Sequence, residues 1–140
     1  MRGTDSPKEE RPPSPEMEYK ELTEKIIGCA YKVCNRMGFG FLESVYEKCL
    51  AIEIGKAGLA FETQKSITVR YDGEVVGEFA ADILVEEAVI VELKSVTRLT
   101  KAHAVQLVNY LVATGKPVGL LLNFGEHGVE VKRKVRELRR

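Results

Sequence analysis

Apolar side chains recur at Leu22, Ile26, Cys29, Ala30, Val33 and Met37, and this three-and-four spacing predicts a helix from Tyr19 to Met37 with one buried stripe. Gly38, Phe39 and Gly40 break the pattern. A second helix is expected from about Leu42 to Lys56, with Gly58 as its stop. Residues 61–71 then alternate Ile67, Val69 and Tyr71 against polar neighbours, Asp72-Gly73 supplies a hairpin turn, and a return strand runs from Glu74 to Val85. Residues 88–95 are apolar on both faces, as a central strand covered on two sides should be. Glu92 and Lys94 interrupt that run and need a reason. A third helix follows through Leu99, Ala102, Val105, Leu107, Val108 and Leu111, and Gly115-Lys116-Pro117 closes it. Strands at 118–124 and 128–135 complete an ααβββαββ order without an internal repeat.

Composition changes this picture only at the ends. Residues 1–17 are rich in Pro, Ser and Glu and predict a disordered N-terminal tail, leaving a single α/β domain over 18–135 in a chain of 140 residues. The 21 basic and 21 acidic residues balance, so net charge does not advertise a nucleic-acid binder. Lys132, Arg133, Lys134, Arg136, Arg139 and Arg140 nevertheless crowd the C-terminus, and residues 136–140 read as a basic tail able to meet phosphate or as a solvated end. Cys29, Cys34 and Cys49 are odd in number and lie in helical patterns, which favours buried thiols over disulfides. Cys29 and Cys34 also point about 140° apart around a helix, which excludes a shared zinc. No apolar run is long enough to span a bilayer and no secretory signal opens the chain, so a cytoplasmic protein with no membrane partner is expected.

Side chains alternate along a strand, so Glu92 and Lys94 share one face of a largely apolar segment. A tight connection through Glu86, Glu87 and Ala88 would set Asp82 of the preceding strand directly across from Glu92. A slip of one residue would send the two carboxylates to opposite faces. In register they lie about 5 Å apart, which at an effective dielectric near 20 costs on the order of 3 kcal/mol. A hard divalent cation offsets that repulsion, and Lys94 on the same face can compensate charge or touch water or phosphate. Taken alone, the E-x-K tripeptide fits a structural ion-pair group just as well.

Two helical patterns shift the balance. Gly40-Phe41-Leu42-Glu43-Ser44-Val45-Tyr46 places Glu43 and Tyr46 three apart at the start of the second helix. In the third helix His103, Gln106 and Tyr110 fall three and four apart and share a face. By themselves these are a first-turn acid and a polar boundary row.

Together with AADILVE, VIVELKSV, HAVQLVNYL and GLLLNFG, these stretches make the segment from Tyr19 to Val135 resemble the GxxExxY family, placed in the PD-(D/E)XK nuclease superfamily. The resemblance implies a restriction-endonuclease-like αβββαβ core, a mixed central sheet flanked by helices. It implies Mg²⁺ or Mn²⁺ held by Asp82, Glu92 and Glu43, with Lys94 assisting catalysis. Gln106 and Tyr110 match the QxxxY helix motif of RecB-like nucleases, which gives Gln106 a catalytic positioning role and makes Tyr46, His103 and Tyr110 candidates for substrate contact. Ala81 stands where the superfamily name has Pro. The activity implied is metal-dependent hydrolysis of DNA phosphodiester bonds, with RNA not excluded. A non-catalytic nucleic-acid- or partner-binding module on the same fold is the alternative. So small a domain offers little surface for gripping a duplex, so a homodimer or a larger protein partner is also expected.

Overall fold

A computed structural model describes residues 19–136, and the predicted segments appear in it in order. The expected N-terminal tail, and Arg139 and Arg140 at the other end, lie outside the described residues. Helix α1 (Lys20–Met37) buries Thr23, Ile26, Cys29, Ala30 and Val33, the stripe its spacing dictates. Helix α2 (Glu43–Lys56) buries Tyr46, Leu50, Glu53 and Ile54. A buried acid needs partners, and Glu53 finds them in Lys56 at 3.4 Å, Lys32 at 3.7 Å and Arg36 at 3.8 Å, which ties the two helices together.

Five strands follow: β1 (Phe61–Tyr71), β2 (Glu74–Val85), β3 (Val89–Lys94), β4 (Val118–Gly125) and β5 (Gly128–Val135). They lie side by side in chain order, antiparallel except for the parallel pair β3 and β4. A parallel pair requires a crossover, and helix α3 (Lys101–Thr114) supplies it. This is a mixed sheet flanked by helices, as the sequence predicts.

The sheet is covered on both faces. Val89, Val91 and Leu93 of β3 join Ile83, Val85, Leu120, Leu122 and Phe124 in a core beneath α1 and α2. Ile90, Leu84 and Leu121 meet Leu107 and Leu111 of α3 in a second core. Gly119 permits that approach: a Cβ there would lie 2.7 Å from Leu107 Cδ1, inside any tolerable contact.

The basic C-terminus is largely structural. Lys132, Arg133 and Lys134 belong to β5, Arg133 Nε donates to Thr23 Oγ1 at 3.1 Å, and Arg136 Nη1 donates to the Gly115 carbonyl at 2.8 Å. The Arg136 backbone N–H also donates to the Pro117 carbonyl, and residues 137–140 of the expected basic tail lie outside the described residues. The three cysteines are free thiols; Cys29 is buried, and Cys34 and Cys49 are half-buried. Among the described residues, no helix is long and apolar enough to cross a membrane.

Candidate active site

The β2–β3 ladder pairs Val85 with Val89, Leu84 with Ile90 and Ile83 with Val91, and the next step would pair Asp82 with Glu92. There the side chains take over. The Asp82 N–H donates to Glu92 Oε2 at 3.1 Å, and the Leu93 N–H donates to Asp82 Oδ2 at 2.8 Å. Two carboxylates thus replace the backbone ladder where the strands part, and each satisfies a donor that would otherwise be orphaned.

The turn that sets this register is tight. Glu86 and Glu87 both take left-handed conformations, with φ of 53° and 57°, and the Ala88 N–H closes onto the Val85 carbonyl at 3.0 Å. Positive φ at both central residues is the turn geometry that suits twisted hairpins.

Alternation also breaks at Asp82. Phe79, Ala81 and Leu84 all pack with the α3 core, whereas Ile83 and Val85 pack with the opposite one. A regular strand would alternate, so β2 switches faces around Asp82, while its pairing with β1 keeps one register from Phe61↔Val85 to Val69↔Gly77. Its neighbour breaks at the same level. Gln64, between the pairs Thr63↔Ile83 and Lys65↔Ala81, has a φ of 53°. Its Nε2 lies 2.9 and 3.1 Å from the two carboxylate oxygens of Glu47 and 3.5 Å from Asp82 Oδ1. Backbone strain of this kind persists only where surroundings enforce it.

The charges are strongly coupled. Burial, then the neighbouring Asp82 charge, pushes the Glu92 carboxyl up to about 8; the Asp82 N–H and Lys94 oppose the rise, and Glu43 adds to it. Burial raises Glu47 too, opposed by the Gln64 amide and reinforced by Asp82 and, more weakly, Glu43. Tyr110 is raised by burial and then by Glu92 and Asp82, so its phenol feels both acids. Glu43, the exposed first residue of α2, acts on the centre through its charge.

Lys94 is half-buried two residues beyond Glu92, and Gln106 is exposed beside Tyr110, whose ring stacks on Phe79 at 4.0 Å. His103 is drawn into the helix cap: its Nδ1 accepts from the Thr100 N–H at 3.0 Å while its own N–H donates to Thr100 Oγ1. Tyr46 lies in the interior. It is 0% exposed, stacks on Phe124 at 4.5 Å, donates to the Gly38 carbonyl at 2.6 Å and accepts from the Phe41 N–H at 3.3 Å. It pins the loop between α1 and α2. Sequence reasoning missed Glu47 and Gln64. Glu47 stands four residues after Glu43, a spacing that signals a shared helix face, but nothing in the sequence announces a strand glutamine with positive φ.

A model of the PD-(D/E)XK nuclease superfamily matches residues 20–136. The chain belongs to that superfamily. Its fold is similar to the crystal structure of SSO0001, with a TM-score of 0.56 and 17% identity, covering 89% of this chain and 63% of that one. It is also similar to an alkaline exonuclease from Laribacter hongkongensis, with a TM-score of 0.51 and 14% identity, covering 79% of this chain and 69% of that one. No curated protein matches. Nucleases of the PD-(D/E)XK superfamily generally use divalent metals.

The donors present fit such an ion in type. Among the described residues, no three His, Cys, Asp or Glu side chains form a ready metal cage. Asp82 and Glu92 offer hard oxygens side by side, however, and Mg²⁺ retains several waters and takes only one or two carboxylates from protein.

Proposed function

We propose that this chain is a Mg²⁺- or Mn²⁺-dependent nuclease that hydrolyses DNA phosphodiester bonds, a GxxExxY protein whose third helix carries a RecB-like QxxxY motif. The observation that carries the reading is the clasp of Asp82 and Glu92 across the parting strands, with Lys94 two residues on. A site built for stability alone would not set two half-buried, mutually repelling acids side by side with a single half-buried lysine on the same strand.

Asp82 and Glu92 hold the ion, and Glu43 adds negative charge at the rim. Bound there, a divalent cation lowers the pKa of water and neutralises charge on phosphoryl oxygens. The Lys94 ammonium orients the nucleophilic water or stabilises charge developing on the phosphoryl group. Water oxygen bonds to phosphorus as the bond to the 3′ oxygen breaks, leaving a 3′ hydroxyl and a 5′ phosphate. Gln106 on α3 positions substrate or Lys94, Tyr110 lines the same side, and His103 reaches substrate only with the ring nitrogen its cap leaves over. Gln64 and Glu47 position Asp82.

The test is incubation of the full chain with single- and double-stranded DNA and RNA in Mg²⁺ or Mn²⁺, beside Asp82→Asn. Asparagine keeps an acceptor for the Leu93 N–H, so this variant folds. Cleavage should require metal and vanish in the variant. Binding without cleavage on every substrate would leave a non-catalytic module.

A further inference from the structure

We propose that the loop between α1 and α2 is a stacking platform for an unpaired base, so that this site takes single-stranded or frayed nucleic acid in preference to a fully paired duplex. This rests on the nucleic-acid reading above and deepens it. The loop exposes three large apolar side chains: Phe39 is 60%, Phe41 43% and Leu42 74% exposed. Isolated exposed apolar residues need no explanation, but a cluster on a braced backbone at the edge of a site does.

The bracing is specific. Tyr46 fastens both ends of the loop, at the Gly38 carbonyl and the Phe41 N–H, and the Phe41 ring meets Tyr46 edge-on at 6.0 Å. Gly40, with a φ of 112°, makes the bend that a side chain would resist. Ser95 Oγ donates to the Phe41 carbonyl at 3.1 Å, which locks the loop to the residue that follows Lys94. Leu42 immediately precedes Glu43, whose charge acts on Glu92. The apolar cluster therefore sits at the rim of the carboxylate centre on both sides of the chain.

Position beside Ser95 and Lys94 points to a base as the occupant. Phe39 forms one wall of an open groove of about 760 Å³ that continues past Ser95 and Thr97 to the exposed Arg98 and His127. The groove also holds Glu126, while Glu130 is engaged by the Leu99 N–H and Asn123. Phe39 and Arg98 line the same groove, and a ring that stacks a base beside a cation that meets a phosphate is the pairing that single-strand grooves use.

The experiment is a binding titration in Ca²⁺, which separates binding from turnover, using a labelled single strand, a blunt duplex and a duplex with an unpaired end. Wild type is expected to prefer the single strand and the frayed end. Phe39→Ala with Leu42→Ala should weaken those two by about tenfold, in line with the loss of base stacking, and change the blunt duplex by less than about twofold. Phe39→Trp, which keeps a ring, should retain the preference, and 2-aminopurine in the unpaired end should be quenched by wild type and not by the double variant. Equal losses on all three substrates, or none, would overturn the platform. So would a change of oligomeric state in light scattering, because the cluster would then be an interface between copies. A wild type that binds with this preference but never cleaves leaves the platform standing and removes the nuclease reading instead.

Discussion

Gln64 stands opposite Asp82 in the sheet with a left-handed φ of 53°, and its amide nitrogen lies 3.5 Å from Asp82 Oδ1. A residue with a Cβ held there costs about 1 kcal/mol or more, and the same amide is shared with Glu47. Gln64→Gly should therefore leave stability unchanged or raise it by up to about 1 kcal/mol. Loss of the amide frees Glu47 and Asp82 to move apart, and cleavage should fall at least about tenfold, since small misplacements are costly in catalysis. Urea unfolding beside an activity assay decides it. A glycine variant that is clearly less stable yet fully active would show the strain to be incidental.

The elements themselves were legible because each carries a strong local signal: the α1 stripe, Asp72-Gly73 at a hairpin, and an apolar β3 run whose polar exceptions are Glu92 and Lys94. The register of Asp82 against Glu92 was legible too, since the turn at Glu86 and Glu87 fixes it. What spacing could not convey is the change of face in β2 around Asp82, because alternation assumes a regular strand and the backbone is irregular at that level, as at Gln64 across the sheet. The burial of Tyr46 was hidden for a related reason. A tyrosine three residues from Glu43 looks like a neighbour on one face, yet burial depends on which side of α2 meets β4.

Tyr46→Phe tests whether that side chain braces the loop or contacts substrate. The hydroxyl is buried and serves both the Gly38 carbonyl and the Phe41 N–H, so its loss should destabilise the fold by about 1–2 kcal/mol. Metal affinity should remain within about twofold, as Tyr46 touches neither carboxylate. Equilibrium unfolding and calorimetry with Mn²⁺ measure the two effects. Normal stability with impaired nucleic-acid contact would restore the substrate-binding role.

Glu92 predicts a pH dependence with a definite sign. Its carboxyl is pushed from an ordinary 4.5 to about 8 by burial and by Asp82. Between those values the folded chain keeps a proton that the unfolded chain has lost. Metal-free stability is therefore greatest at or below about pH 4.5 as far as Glu92 is concerned, and declines as pH rises through about 8. Metal binding needs the ionised form, so affinity should climb with pH by up to about tenfold per unit before levelling off near the folded pKa. Glu92→Gln should flatten the melting profile in EDTA between pH 5 and 9 and lose metal binding. A wild-type melting temperature that rises across that range by an amount traceable to Glu92 would contradict the burial argument.

Lys94 separates an enzyme from a binding module. It follows Glu92 on the same face of β3, and its charge opposes the rise in the Glu92 pKa. An ammonium that acts on the attacking water or on developing phosphoryl charge makes contacts that strengthen only as the transition state forms, so its loss should depress turnover far more than affinity. Contributions of this kind are about 10²- to 10⁴-fold. Lys94→Ala should thus bind metal and DNA within a small factor of wild type and fail to cut. Lys94→Arg should not restore cleavage, because a planar fork cannot stand in for a compact point charge at the end of a short strand. Single-turnover cleavage of a labelled strand in saturating Mg²⁺, run beside a binding titration, gives both quantities. If Lys94→Ala instead loses affinity and turnover in equal proportion, the lysine is a phosphate contact on a binding surface. If it cuts as fast as wild type, Lys94 has no part in the chemistry.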